Sequence, residues 1–318
     1  MTNPLLDFSA LPRFSEVLPE HISPAMTQLL TQAEQAMEEV TSDSFPTNWL
    51  SISKVLDTAT EQLGRAWGMV GHLQGVADTP ELRAAYNAEL PRITDFFTRL
   101  GANEALYAKY KAIPVHSLNP EQARAHTLAL RNFVLSGAEL QGPAKERFAA
   151  IQERLAEISQ LFSEHVLDAT DAWSLLASQE EVAGVPADVL QTAQAAATAD
   201  GHTGYKLTLK MPCYLPVMQY AHSSSLREKL YRAHATRASA EFAHPQFDNS
   251  ALLQEILQLR QEEATLLGYA NHAEVSLASK MAESPQQVMD FLRDLALRAR
   301  PYAEKDLNEM RDFAAAEL

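Results

Sequence analysis

Cysteine, glycine and long apolar runs are all scarce among the 318 residues of this chain. Cys213 is the one cysteine and cannot form an internal disulfide, which fits a reducing compartment. No apolar stretch approaches the roughly 20 residues that a membrane-spanning helix needs. The N-terminus also lacks the basic segment and apolar run that mark a signal peptide. We therefore expect a cytoplasmic protein with no membrane partner.

The chain also has few positively charged residues relative to negatively charged ones. The chain has 26 Lys and Arg against 41 Asp and Glu, which gives a net charge of -15. Binding to nucleic acid depends on clustered Lys and Arg that displace counterions from phosphates. The sequence contains no aromatic–basic stripe and no phosphate-binding glycine loop. We therefore expect no nucleic-acid partner.

Helix-forming residues are plentiful instead. Apolar side chains recur at steps of three and four over most of the chain, as on one face of a helix. We predict antiparallel amphipathic helices over residues 24–318, preceded by an extended, proline-punctuated arm over residues 1–23. The first helix is predicted to begin near Ser23, with Pro24 as its first residue. Pro91 is expected to kink or split a later helix that ends at Gly101.

The helical pattern is interrupted once. Segments near residues 172–177 and 205–210 are short, and the second alternates polar with apolar residues, which predicts a small antiparallel strand pair. A helix around residues 187–199 separates the two segments. Pro212 and Pro216 predict an irregular connection, followed by a helix from about Ser224 to Ser239. The fold class is therefore mainly α, with one small pair of strands.

Two amphipathic stretches stand out in the sequence. The clearer stripe consists of Phe148, Ile151, Leu155, Ile158, Phe162 and Val166. The last helix begins at Ser284–Pro285, is expected to bend before Pro301, and reaches Leu318 without a stop signal. A finished domain can also end in this way, but we expect a piece cut from a longer protein.

The segment from Asp248 to Met281 is predicted to be a unit of two helices. Asp248, Asn249 and Ser250 offer side-chain oxygens to the first helical turn. Gly268 can adopt the left-handed conformation that ends a helix. A second helix is predicted from near Asn271 towards Met281.

None of the motifs tested predicts a catalytic or metal site. Zinc sites on helices usually contain histidines four residues apart, and none of the ten histidines, His234 and His244 included, has that spacing. His272-Ala-Glu274 lacks the cysteine pair of a zinc deaminase, and Ser51-x-x-Lys54 lacks the partner motifs of a β-lactamase. A buried, unreactive Cys213 is favoured over a nucleophile.

Two neighbouring glutamates have two possible roles. Glu263 falls on the apolar stripe of its helix beside Glu262. These carboxylates either pair with Arg260 or Arg237 in a buried network or line a peptide channel, and pairing is favoured because buried carboxylates usually have partners. Three further arginines recur every five residues and so spiral around their helix without forming one patch: Arg227, Arg232 and Arg237.

Three long segments carry a resemblance to a known family. They are NPLLDFSALPRFSEVLPEHISPA (residues 3–25), YKLTLKMPCYLPVMQYAHSSSLREKLYRAHATRAS (residues 205–239) and LRQEEATLLGYANHAEVSLASKMAESPQQVMDFLRDLALRARPYAEKDLNEM (residues 259–310). Together they resemble the thimet-oligopeptidase family of zinc metallopeptidases. The family's zinc motif, H-E-x-x-H, appears nowhere in the 318 residues. The resemblance therefore supplies no catalytic, metal or substrate-binding residue in this chain.

The resemblance implies a function for a longer protein. The family hydrolyses short peptides inside a narrow channel with a zinc ion, and the part present here resembles the helical body that forms one wall. We therefore expect an N-terminal region that is inactive alone, binds no zinc itself, and has the C-terminal catalytic part as its partner. Self-association through the exposed interface is a further expectation. The alternative is a non-catalytic helical module that binds peptides or a partner protein.

Overall fold

The computed structural model describes residues 3–317, and they are mainly helical with one small sheet. The α-helices are α1 (Pro19–Thr41), α2 (Trp49–Ile52), α3 (Thr58–Val76), α4 (Pro80–Gly101), α5 (Glu104–Lys111), α6 (Pro120–Leu135), α7 (Pro143–Ala172), α8 (Ala187–Ala199), α9 (Met211–Tyr220), α10 (Ser224–Ala235), α11 (Ser250–Leu266), α12 (His272–Leu277) and α13 (Pro285–Glu317). The strands are β1 (Ser174–Ala177) and β2 (Tyr205–Thr208). This confirms the predicted fold class.

The chain forms two compact units. The first contains residues 3–86, 95–151 and 259–317, and the second contains residues 87–94 and 152–258. The chain therefore passes from one unit to the other within α4, α7 and α11. Among the described residues, no helix combines the length and apolar character that crossing a membrane would require.

The N-terminal segment is less extended than we predicted. Two short 3₁₀ turns, Pro4–Leu6 and Phe14–Glu16, lie within it, and Leu5 is buried. The helix start near Ser23 was wrong, because α1 begins at Pro19. The backbone N–H of Leu18 donates to His21 Nδ1, a side-chain cap that a search for Ser, Thr, Asp or Asn does not detect.

Pro24 lies inside α1 and does not begin it. Its ring nitrogen leaves the carbonyl of Glu20 without the usual helical donor, but Glu20 is exposed, so water can replace that donor. Pro91 likewise lies within an unbroken α4, so the predicted alternative of a split helix was wrong. One missing hydrogen bond is insufficient to end a helix whose other bonds and apolar face persist.

The first unit buries its apolar side chains in contacts of α1 with α3 and of α5 with α6. One core cluster joins Val40, Ile52, Leu56, Leu106 and Phe133. The side chains of Asn48, Thr79, Asn103 and Asn119 each accept a hydrogen bond from the first turn of the helix that follows. These caps satisfy backbone donors that would otherwise lack partners.

A π-helical turn, Ser53–Asp57, connects α2 to α3. The helical segment from Trp49 to Val76 therefore contains one turn that is wider than the rest. Such turns within helices occur often at functional sites. The turn places Leu56 in the core and leaves Asp57 exposed.

The second unit contains the sheet. β1 and β2 are antiparallel, as predicted, and the register places Leu175 opposite Leu207 and Ala177 opposite Tyr205. The predicted helix between them is α8. A core cluster around Leu207, Val217 and Leu226 joins the sheet to α8, α9 and α10.

Two predictions for the second unit were wrong. The segment around Pro212 and Pro216 forms the helix α9, because Pro212 occupies the second helical position, where no donor is needed, and Pro216 removes only one hydrogen bond. α10 ends at Ala235 and not at Ser239. The Arg237 side chain donates to the carbonyl of His234 there, and satisfies a free helix end.

The last three helices follow the predicted order. α11 and α12 are separated by Gly268, whose φ of 81° lies in the left-handed region. α12 begins after Asn271 as predicted but ends at Leu277. The N–H of Ala278 there donates to two carbonyls at once, which tightens and ends the helix. α13 extends through Pro301 and has no buried residue.

Candidate functional site

The described residues do not fit a zinc ion. Within residues 3–317, no group of three His, Cys, Asp or Glu side chains is arranged to hold a metal ion. The histidines have other neighbours: His126 Nε2 lies 2.8 Å from the carbonyl oxygen of Tyr110, and His165 Nδ1 lies 2.8 Å from Asn249 Oδ1.

The α11–α12 unit holds the two glutamates singled out in the sequence. Glu262 forms a bidentate ion pair with Arg147, with N–O distances of 2.6 and 2.7 Å. Pairing was predicted for it, but with a different arginine. Arg147 lies 115 residues away in sequence, and the helical pattern gives no sign of which distant side chain faces Glu262. This guanidinium holds the pKa of Glu262 below its usual value.

Glu263 is largely buried and lies 3.6 Å from His272 Nδ1. His272 follows directly after the cap Asn271, so the Gly268 turn is what brings α12 back towards α11. Gln261 strengthens the turn by donating to the carbonyl of Ala270 at 3.0 Å. Glu263 therefore lies at the contact between α11 and α12.

A cleft of about 400 Å³ lies in the second unit. It is bounded by α4 around Pro91 and by one face of α7. The apolar part of its lining consists of Leu90, Pro91, Ala156 and Leu161, and the polar part of Asn87, Glu153, Glu157, Gln160 and Glu164. Apolar walls with a few convergent polar groups are typical of ligand sites.

Glu164 is the buried carboxylate of this cleft, with only 8% of its surface exposed. Asn87 Nδ2 and Gln160 Nε2 both donate to its Oε1, at 2.9 and 3.0 Å. These two amides fix the side chain against the cleft wall. Glu164 could not be recognised from the sequence, because its partner Asn87 lies 77 residues away and on a different helix.

An ion-pair network flanks the cleft on α7. Arg154 binds Glu255 through two hydrogen bonds of 2.6 and 2.9 Å and Glu157 through one of 2.7 Å. The hydrogen bonds that Arg154 donates to Glu255 raise the pKa of Arg154 and lower the pKa of Glu255. Glu157 also lines the cleft, so one wall of it has a negative charge that is partly neutralised.

The other residues singled out in the sequence lie apart from the cleft lining. Cys213 lies beside β2 and accepts a hydrogen bond from the N–H of Thr208 at 3.4 Å. Arg227 donates to the carbonyls of Ala221 and His222. Arg237 donates to Thr170 Oγ1 at 2.8 Å. The two arginines thus have separate partners, consistent with the predicted spiral.

Comparison with known proteins relates the chain to peptidases over its full length. The sequence profile described as peptidase family M3 matches residues 217–318, and that of the neurolysin/thimet oligopeptidase N-terminal domain matches residues 26–145. Oligopeptidase A of Salmonella typhimurium and of Escherichia coli are each 45% identical over all of this chain and 48% of their own length. A probable cytosolic oligopeptidase A of Arabidopsis thaliana is 37% identical over 98% of the chain and 46% of its length. The chain thus spans about half the length of these curated relatives.

Proposed function

The chain belongs to peptidase family M3 and corresponds to the N-terminal region of oligopeptidase A, and on that premise we propose that it forms part of a zinc oligopeptidase. The complete enzyme would hydrolyse short peptides in the cytoplasm. In this proposal the zinc ion and the H-E-x-x-H motif belong to the part of the relatives that the chain does not match. The chain alone would be inactive.

The uncovered apolar stripe of α13 is the observation that carries this proposal. Val288 is partly exposed, and the larger stripe residues are between 43% and 73% exposed: Phe291, Leu292, Leu295, Tyr302, Leu307, Met310 and Phe313. Large contiguous apolar surface is rare on a monomer and usually marks a docking site. We propose that the catalytic part docks on this stripe.

The cleft beside Glu164 supports a role in peptide binding. Its apolar lining suits the side chain of a short peptide, and Glu153 and Glu157 at its wall favour a peptide with basic residues. In the complete enzyme this cleft would be one part of the channel wall. The protein's net charge of -15 also favours peptides with basic residues.

Reconstitution tests the proposed enzyme. The chain would be purified alone and also after co-expression with the C-terminal half of Escherichia coli oligopeptidase A, and each sample assayed with an internally quenched fluorogenic peptide. We expect no hydrolysis by the chain alone, and hydrolysis by the co-expressed pair that a zinc chelator abolishes. Chelator-sensitive hydrolysis by the chain alone would contradict the proposal.

A non-catalytic peptide- or protein-binding module is the second candidate, and the Glu164 cleft is the observation that favours it. This alternative requires no second half. It would be supported if the purified chain bound basic peptides at micromolar affinity while co-expression with the C-terminal half restored no hydrolysis. Peptide affinity that depends on co-expression favours the enzyme instead.

Self-association through α13 is a further part of the proposal. An apolar stripe without its intended partner lowers its free energy by pairing with another copy. Sedimentation equilibrium should therefore show a dimer whose population rises with concentration, and Leu295→Asp should return the chain to a monomer. A monomer at every concentration would contradict self-association without affecting the proposed enzyme.

A further inference from the structure

A cavity of about 470 Å³ lies in the first unit and has no role in the proposed peptidase. Buried apolar side chains form its floor: Leu56, Leu106, Tyr110 and Phe133. Polar side chains stand around it, namely Asp57, Thr60, Asn132 and Ser136. The volume is within the range of sites for small organic ligands.

Tyr110 is the residue that points to a ligand. Only 6% of its surface is exposed, and its ring packs edge-on to Trp49 at 6.1 Å and against Phe133 at 5.2 Å. Its hydroxyl forms no hydrogen bond with any side chain or backbone group in the part of the chain that the structure describes. The hydroxyl oxygen is not among the fully buried atoms without a partner, so it is open to the cavity and free to bond a small molecule.

Tyr107, on the same helix, has a hydroxyl that does form a hydrogen bond. Its Oη donates to Glu139 Oε1 at 2.8 Å. Tyr110 lies one turn further along α5 and faces the cavity instead. Burial raises the pKa of Tyr110, and the carboxylate of Asp57 raises it further, so its hydroxyl keeps its proton at neutral pH.

Asp57 supplies the charge at the cavity. It is the last residue of the π-helical turn Ser53–Asp57 and is exposed, and Ser53 Oγ donates to its Oδ2. Asp57 is the charged residue among the described residues that line the cavity. Arg131, next to the lining residue Asn132 in the sequence, is hydrogen-bonded to Asn132 Oδ1 at 3.0 Å. Asp57 therefore favours a cation, and the apolar floor favours a hydrocarbon body attached to it.

We propose that this cavity binds a primary ammonium group carried on an apolar body of about the size of a phenyl ring. The ammonium would donate to the carboxylate of Asp57 and to the hydroxyl oxygen of Tyr110. The ring would rest on Leu106 and Phe133. This site requires neither zinc nor a peptide bond, so its test is independent of the proposed hydrolysis.

Titration of the purified full chain with 2-phenylethylammonium tests the site. Backbone amide shifts in a ¹⁵N TROSY spectrum should saturate, with the largest changes in residues 56–60, 97–101 and 129–136. The matched anion 3-phenylpropionate has the same ring and should bind at least about tenfold more weakly. The peptide Phe-Gly-Gly, as a second arm, distinguishes a peptide N-terminus from a free amine as the natural source.

Conservative variants assign the binding to these two groups. Tyr110→Phe removes only the hydroxyl and should raise the Kd about three- to tenfold. Tyr107→Phe removes a hydroxyl one turn away and should leave the Kd unchanged. Asp57→Asn should raise the Kd about fivefold. Thermal midpoints of all three variants would be measured so that a folding defect is recognised.

Three results would overturn the proposal. The first is the absence of saturable shifts with either cation at millimolar concentration. The second is equal affinity for 3-phenylpropionate, which would make the carboxylate of Asp57 irrelevant. The third is a Tyr110→Phe variant that is folded and binds as the native chain does.

Discussion

Two long helices of this protein, α7 with 30 residues and α13 with 33, have similar amphipathic sequences but opposite surroundings. On α7 the stripe is largely covered, with Phe148, Ile151 and Ile158 almost fully buried. On α13 no residue is buried, and Leu295 is 51% exposed. The periodicity of apolar residues therefore predicts which face of a helix is apolar. Whether that face is buried depends on whether another part of the protein packs against it.

The largest effect that separates the two helices is expected from shortening an apolar side chain. Ile158→Ala should destabilise the protein by about 2–5 kcal/mol, because it leaves a cavity in a packed core. At concentrations where the chain is a monomer, the matched change Leu295→Ala on α13 should shift the free energy of unfolding by no more than about 0.5 kcal/mol. Urea denaturation followed by circular dichroism measures both. Equal losses would show that α13 is covered in solution.

A smaller effect is expected for the carboxylates. Glu164→Ala on α7 removes two hydrogen bonds to a buried carboxylate, those from the amides of Asn87 and Gln160, which should cost about 1–3 kcal/mol. The control is Glu309→Ala, since Glu309 lies on exposed α13 and forms a 3.6 Å ion pair with Lys305. Denaturation that fails to distinguish the two variants would contradict the role given to Glu164.

Removing an ion pair from α7 should lower Tm slightly more than removing one from α13, and the effect should depend on pH. Arg154 lowers the pKa of Glu255 from 4.5, so their pair adds stability above that pH and loses it as pH falls through the folded pKa. Arg154→Met should lower Tm by about 1 °C at pH 7 and by less at pH 3. The matched Arg300→Met on α13 removes an i,i+4 pair with Glu304 and should change Tm even less. A loss that grows as the solution is acidified would contradict this pairing.

Much of the fold was predictable because local patterns determine it. The strand pair, α8, the Gly268 turn and the stripe on α7 all follow from periodicity or from one residue's conformational freedom. α9 was not predictable in this way, because its prolines indicated a break. Their cost proved to be one hydrogen bond, and the apolar side chain of Val217 anchors the helix in the core.

The candidate sites were less predictable than the fold. Glu164 with Asn87, and Glu262 with Arg147, are joined across 77 and 115 residues of sequence. No pattern within one helix indicates which distant side chain will face it. The sequence does not distinguish Tyr110 from Tyr107 either. Both lie on the apolar face of α5, and they differ only in the groups that surround the hydroxyl.

A pull-down experiment tests most directly whether the apolar stripe of α13 is a docking surface. The chain would be co-expressed with a tagged C-terminal half of Escherichia coli oligopeptidase A, and the tagged half would then be purified. The native chain should be retained on the tagged half, and a Leu292→Asp/Leu295→Asp variant should be lost from it while keeping its helix content. Equal retention of the folded variant would contradict the claim that the stripe on α13 is the docking surface.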